Sequence, residues 1–309
     1  MINMKSILTL FALSLSLVLS AQQEAMFTHY MYNTLAVNPG YAGSRDALTI
    51  TALHRSQWIG FKGAPMTQTL TIHSPIGNSI GLGLSILNDK VGPLNTSSAF
   101  VDFAYKLRFK KDRKLALAIK GGITLIQGAL SNLDLDNNAD YMFTDISSKM
   151  LPNFGFGLYY YAPKLYIGFA APKFLQNSLD QPIVLSADSI RGDRRHYYFI
   201  AGGIIDISRS TQFKPTTFVK MTGGAPLQFD LTTSFIFNEK FSVGAMYRLN
   251  DAIGLLVGIQ FSEKFEISCS YDWSLGLKSG TYNSGSAEVM LRYDIEFGGV
   301  GKIRSPRYF

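Results

Sequence analysis

The sequence predicts an all-β protein: a transmembrane up-and-down antiparallel β-barrel of about fourteen strands, following a cleaved export signal. Three observations predict it. Apolar and polar residues alternate over stretches of nine residues and more. The connections between these stretches are short at one end and mostly long at the other. Finally, the first 21 residues carry the parts of a secretory signal. Composition agrees: charged residues make up 17% of the chain, below the ~25% usual for soluble domains. Aromatic residues at 13% and 28 glycines favour strands over helices.

At the amino end, Lys5 supplies the positive charge, residues 7–19 the apolar stretch and Ser20-Ala21 the small residues for cleavage, so the mature chain is expected to start at Gln22. The apolar stretch is shorter than the ~20 residues of a spanning helix. Residues 22–47 are expected on the periplasmic side or folded into the barrel, residues 48–297 form the barrel, and 298–309 are a tail.

Alternation is clearest at Ile80, Leu82, Leu84 and Ile86, interleaved with Gly81, Gly83 and Ser85, and at Val101, Phe103, Tyr105 and Leu107, interleaved with Asp102, Lys106 and Arg108. Successive strand side chains point to opposite faces. Spanning strands need about 9–11 residues, more than the 5–6 of ordinary strands. The pattern predicts strands at 48–58, 67–73, 79–88, 97–109, 115–127, 153–161, 164–170, 196–208, 214–221, 227–237, 240–248, 253–261, 264–273 and 286–297. Short turns fall at 74–78, 110–114, 162–163, 238–239 and 262–263. Long connections fall at 59–66, 89–96, 128–152, 171–195 and 274–285, all at the other end. That one-sidedness marks bacterial outer-membrane barrels. It argues against a soluble two-sheet sandwich, which needs Greek-key returns.

With the apolar set facing lipid, the lumen set comprises Arg55, Gln57, Asp102, Lys106, Arg108, Lys120, Asp230, Arg248, Glu266, Asp272, Glu288, Arg292, Asp294 and Glu296. Mixed charge suits either a water channel or a paired ionic interior. Tyr159, Tyr160, Tyr161, Tyr197, Tyr198 and Trp273 are candidates for the interfacial aromatic girdles.

The net charge of +7 is scattered, and an exported chain argues against nucleic acid as its partner. The single cysteine, Cys269, allows no intramolecular disulfide and reads as a buried, inert strand residue. His54 and His73 lie on adjacent strands and could approach, but no nucleophile motif accompanies them. Residues 134–140 resemble the start of a calcium loop, yet Ala139 stands where glycine is required and Asp145 where a bidentate Glu is required. No catalytic, metal or cofactor residues are assigned.

The segment before the barrel is distinctive: Phe27-Thr28-His29-Tyr30-Met31-Tyr32-Asn33, then Asn38-Pro39-Gly40-Tyr41-Ala42-Gly43-Ser44-Arg45, and it is followed by Gln57-Trp58 at the end of the first expected strand. With Pro152-Asn153-Phe154-Gly155-Phe156-Gly157 and the terminal Ser305-Pro306-Arg307-Tyr308-Phe309, it resembles the PorP/SprF family of type IX secretion outer-membrane proteins of Bacteroidetes. At Gly285-Ser286-Ala287-Glu288 the chain departs from it, since the family often has His before the Glu. The resemblance implies an outer-membrane barrel of the secretion and gliding motility machinery. Its expected partner is a secreted adhesin with a C-terminal signal domain, bound by the outer loops and by the lumen residues Arg55, Gln57, Asp102, Lys106, Arg108, Lys120, Asp230, Arg248 and Arg292. The alternatives are a core component contacting periplasmic ring and lipoprotein subunits, or a general porin.

Overall fold

In the computed structural model, residues 24, 26–132, 145–176, 195–223, 225–275 and 284–296 are described. The signal reading for 1–21, the calcium-like loop 134–140 and the tail 298–309 lie outside them.

Fourteen antiparallel strands form one closed barrel. In chain order they are β1 (Leu48–Ser56), β2 (Met66–Ile76), β3 (Ile80–Val91), β4 (Leu94–Phe109), β5 (Arg113–Gly128), β6 (Ile146–Ala162), β7 (Leu165–Ala171) and β8 (His196–Gly203, continued by Ile205–Asp206). Then follow β9 (Thr211–Thr222), β10 (Gln228–Phe237), β11 (Phe241–Arg248), β12 (Ala252–Ser262), β13 (Phe265–Ser274) and β14 (Ser286–Ile295). Each strand pairs with its sequence neighbours, and β14 closes on β1 with Leu48 opposite Ile295. Closure leaves no edge within the membrane, where unpaired backbone groups would cost several kcal/mol each.

Burial follows the two-residue period in the sense required by lipid. Ile119 is 64% exposed, while its neighbour Lys120 is 4% exposed and Asp102, opposite Lys120 on β4, is fully buried. A water-soluble fold would reverse this assignment, so the outer face is built for hydrocarbon and the inner one for polar groups. Cys269 is exposed on that outer face rather than buried.

The turns between β2 and β3, β4 and β5, and β6 and β7 stand at one end, which by the short-turn rule faces the periplasm. At the other end the wall rises higher than the sequence suggested. β6 starts at Ile146, and the loop expected at 89–96 is a paired ladder from Asp89↔Thr96 to Val91↔Leu94, closed by Gly92-Pro93 with Gly92 at φ 56°. β4 has 16 residues, about 54 Å at ~3.4 Å each, or roughly 40 Å of height at ~40° tilt against an apolar band of about 25 Å. The excess stands outside the membrane at the loop end.

Residues 26–47 run inside the barrel. They include one helical turn, α1 (Thr34–Val37), and a 3-10 turn at Pro39–Tyr41. Pro39 opens the latter with its fixed φ, and the Asn38 side chain accepts from Gly40 N at 2.8 Å. Tyr30, Leu35, Tyr41 and Ala42 are among the most buried side chains of the protein, so the hydrophobic core lies between this segment and the wall.

Candidate functional site

The lumenal segment spans the barrel from the loop end to the turn end, and the wall grips it along its length. At the loop end, Lys173 pairs with Glu24 at 2.6 Å, Lys220 donates to the Glu24 carbonyl at 2.9 Å, and Tyr198 donates to the Glu24 carboxylate. Burial would push the Glu24 carboxyl up, but Lys173 and His196 bring it well below the usual carboxylate range. The anchor therefore contributes stability above the unfolded carboxyl's pKa, and loses it only as pH falls through the depressed value. Hydrogen exchange of the Phe27–Tyr32 amides is expected to be as slow at pH 5 as at pH 7 relative to the intrinsic rate, and faster in Glu24→Gln at both. An equal loosening of wild type at pH 5 would contradict the assignment.

One level down, Glu288 accepts four hydrogen bonds: from Thr28 N (2.9 Å), His29 N (2.8 Å), His29 Nδ1 (2.7 Å) and Arg55 (3.2 Å). Arg55 also reaches Asp272 at 2.8 Å, and Thr28 Oγ1 donates to the same carboxylate at 2.6 Å. His29 Nε2 lies 2.8 Å from Ser268 Oγ, which donates to the Val257 carbonyl. Glu288, His29 and Ser268 thus have the spacing of a hydrolase triad. However, Ser268 is 1% exposed and His29 is fully buried, so no substrate carbonyl reaches the hydroxyl. These residues act as a tie between segment and wall. Sequence reading missed it because His29 and Glu288 stand 259 positions apart in the chain.

Further in, Asn33 bridges Thr69 and Thr71 at 2.8 Å each, and Lys120 pairs with Asp102 at 3.5 Å. Asn38 Nδ2 donates to the Leu158 carbonyl at 3.0 Å. At the turn end, Lys106 donates to the Gly43 carbonyl at 3.0 Å and Arg45 pairs with Asp294 at 2.8 Å. Arg248 with Asp230, and Arg292 with Glu266, complete the buried pairs. Of the family-like motif, Asn38, Pro39, Tyr41, Ala42, Gly43 and Arg45 therefore serve as contacts between segment and wall, whereas Ser44 donates its N–H to Tyr41 within the segment.

The wall makes room by omitting side chains. A Cβ on Gly157 would lie 2.3 Å from Asn38 Oδ1, one on Gly168 2.6 Å from Asn38 Nδ2, and one on Gly81 2.0 Å from the Ala42 carbonyl oxygen. Glycines at inward positions of β3, β6 and β7 were the available sequence signal that something fills the lumen.

Most expected lumen residues are where the alternation put them. Arg55, Asp102, Lys106, Lys120, Asp230, Arg248, Glu266, Asp272, Glu288, Arg292 and Asp294 are all buried. Three are not. Arg108 and Glu296 are exposed at the turn end, and Gln57 follows the end of β1, half-buried, donating its N–H to the Pro65 carbonyl. Trp58 stands on the same outer loop, 36% exposed with φ 49°. The girdle expectation fails for Tyr159, Tyr161 and Tyr198, which are buried inside, whereas Tyr160 and Tyr197 are half-buried and Trp273 is exposed. Consecutive strand residues cannot share a face, and Tyr159 packs edge-on against Tyr41 at 5.5 Å. His54 and His73 do not meet: His54 points outward, while His73 is buried and accepts from Gly43 N at 3.2 Å.

Between the segment and the wall, at the turn end, lies a cavity of about 440 Å³ lined by Tyr32, Arg45, Lys214, Glu266 and Arg292 among others. Lys214 stands 4.8 Å above the Tyr32 ring. Among the described residues, no group of three or more His, Cys, Asp or Glu side chains could hold a metal ion.

A sequence profile described as type IX secretion system membrane protein PorP/SprF matches residues 19–293. No curated protein matches the chain by sequence. Among solved structures, the CymD monoaromatic hydrocarbon channel is 10% identical, covering 86% of this chain and 92% of its own, with a TM-score of 0.51. The Acinetobacter baumannii outer membrane protein Omp33 is 8% identical, covering 81% and 98%, with a TM-score of 0.46. At 10% identity the likeness to the CymD channel is one of fold alone.

Proposed function

Because the chain belongs to the PorP/SprF family of type IX secretion membrane proteins, we propose that this outer-membrane barrel is a closed platform that binds the C-terminal domain of a secreted adhesin at its loop end and holds it at the cell surface. The observation that carries the reading is the filled lumen beneath a wall that outgrows the membrane on one side. Segment 26–47 occupies the space through which a porin would conduct, and wall carboxylates hold it there: Glu288 and Asp272 accept from Thr28, and Asp294 pairs with Arg45. What remains for a partner is the raised rim formed by β3 to β6 and the outer loops. Binding residues concentrate on such loops over a rigid scaffold. The loop 171–195 expected to make the contact is described only at its ends.

The reading is tested by purifying the tagged protein from outer membranes in mild detergent and identifying what accompanies it in near-equal amount. A single large surface protein is expected. The turn-end cavity favours a second reading, a core secretion component with a periplasmic partner, and co-purified periplasmic ring or lipoprotein subunits would support that instead. Wild type is also expected to show no steady conductance in planar bilayers. Open-channel steps would sink the platform reading and revive the porin.

A further inference from the structure

The excess positive charge of the chain is not spread evenly over the barrel. The β4–β5 turn with the strand ends beside it reads Arg108-Phe109-Lys110-Lys111-Asp112-Arg113-Lys114, five cations and one carboxylate. This one hairpin therefore supplies more than half of the net charge of +7. Lys111 and Asp112 stand at φ 64° and 53°, the pair of positive values that a two-residue type I′ hairpin needs, so the tip has a defined shape. Arg108, Lys110, Lys111 and Arg113 are exposed. Lys114 pairs with Asp46 at 3.5 Å, whereas these four form no ion pair among the described residues.

The other turns at this end do not share the imbalance. Gly77-Asn78-Ser79, between β2 and β3, has no charge. Lys164 of the β6–β7 turn pairs with Asp206, and Arg209 adds one cation beside that pair. Glu239 adjoins Lys240, and Glu263 adjoins Lys264. The exposed Glu296 after β14 is separated from β4 by β1, β2 and β3. Residues 297–309, which follow it, contain Lys302, Arg304 and Arg307 and no Asp or Glu, so they bring no counter-charge. A rim that merely rests on lipid head groups has no reason to gather its cations in one sector.

The cations lie on both sides of the wall. Arg108 faces Lys114 across the ladder, and Phe109 faces Arg113. Lys114 stands 5.4 Å over the ring of Tyr161, which is buried in the lumen, so the first pair belongs to the lumenal side. Phe109 is 52% exposed on the lipid side, and Arg113 shares that side. A lipid head group reaches Arg113 and the tip but not the lumenal pair, whereas a ligand that covers the tip from the periplasm meets both. The cavity at this end is lined by other residues, and the exposed cations offer a surface rather than a pocket. We propose that the β4–β5 hairpin is a second docking face, which receives an acidic surface of a periplasmic protein. It stands apart from the loop-end platform and does not depend on it. Charges of one sign steer and orient an oppositely charged partner more than they add to its affinity, so this contact is sensitive to salt.

The first probe is a fluorescent oligoglutamate peptide, titrated at low salt against the full barrel in mild detergent. The comparison is between Lys110→Gln/Lys111→Gln/Arg113→Gln and Lys62→Gln/Lys90→Gln/Lys149→Gln, which removes the same charge from exposed positions at the loop end. Both barrels are checked for folding by heat-modifiable gel migration. Affinity is expected to fall roughly tenfold in the turn variant, to stay near wild type in the loop-end variant, and to weaken for wild type as salt is added. Equal loss in the two variants would assign binding to net charge alone and overturn the proposal, as would an unchanged turn variant. A photocrosslinking residue in place of Lys111, in living cells, then identifies the class of partner. The expected adduct is a protein that, once purified, also binds the turn variant more weakly than wild type. Adducts with lipid alone, or none, overturn the docking face, and neither result bears on what the loop end holds.

Discussion

Glu288→Ala is expected to free the lumenal segment from the wall at its loop end, converting a closed barrel into one that conducts intermittently. The carboxylate takes four hydrogen bonds, three of them from Thr28 and His29 of the segment and one from Arg55 of the wall. Removing it leaves two backbone N–H groups and a guanidinium buried with fewer acceptors. Breaking one side of such a buried ionic group costs about 3–5 kcal/mol, of the same order as the whole stability of many domains. The ladder of β1 and β14 keeps its backbone pairing, so the loss falls on the segment rather than the barrel. Conductance across planar bilayers checks this, with brief openings in the variant and none in wild type. Arg55 keeps its pairing with Asp272 in the variant, so adding Arg55→Met, which strands that carboxylate as well, is expected to deepen the effect. A variant as silent as wild type, with unchanged protease protection of residues 26–47, would show that the segment is held elsewhere.

Gly81→Val is expected to be the most damaging single glycine substitution on β3, while Gly121→Val is close to neutral. At Gly81 the new Cβ would stand 2.0 Å from the Ala42 carbonyl oxygen and 2.6 Å from its carbon. The obstacle is backbone, and that backbone is pinned by Lys106 on the Gly43 carbonyl and by His73 on the Gly43 N–H. The turn cannot yield without losing both contacts, so the cost is put at about 3 kcal/mol, the upper part of the range for overpacking. Gly121 lies exposed on β5 with nothing within 4 Å of the added carbon, and valine suits a strand better than glycine. Urea unfolding in detergent micelles separates the two, with a lower midpoint expected only for Gly81→Val. Equal midpoints would mean that the segment and β3 are not in firm contact.

The number and order of strands were legible because alternation is a local property. Asp102 and Val101 declare opposite faces from their positions alone, and a spanning strand has to bury every backbone group in a closed sheet. Most of the inward charges were equally legible, Arg55 and Asp294 among them, but not Arg108 and Glu296, which are exposed at the turn end. The family-like motif before the barrel was visible as an unusual string, and it proved to be the stretch that fills the lumen.

What alternation could not supply was the partner of each charge. Arg55 faces inward by parity, but its pairing with Asp272 and Glu288, 217 and 233 residues away, depends on the curvature that brings β1, β13 and β14 round one segment. The same holds for Tyr159 and Tyr161, whose composition suits a membrane girdle but whose positions on β6 turn them inward onto Tyr41 and its surroundings. Strand ends at 89–96 and 146–152 were misread for a related reason. Outside the membrane, polar residues continue a ladder as readily as they form a loop, and only pairing with the neighbouring strand distinguishes them. The sequence by itself determined a barrel and which residues face its interior, because two-residue periodicity is written residue by residue. The tertiary structure decided that the interior is filled, because filling a lumen depends on contacts between distant parts of the chain that no local pattern records.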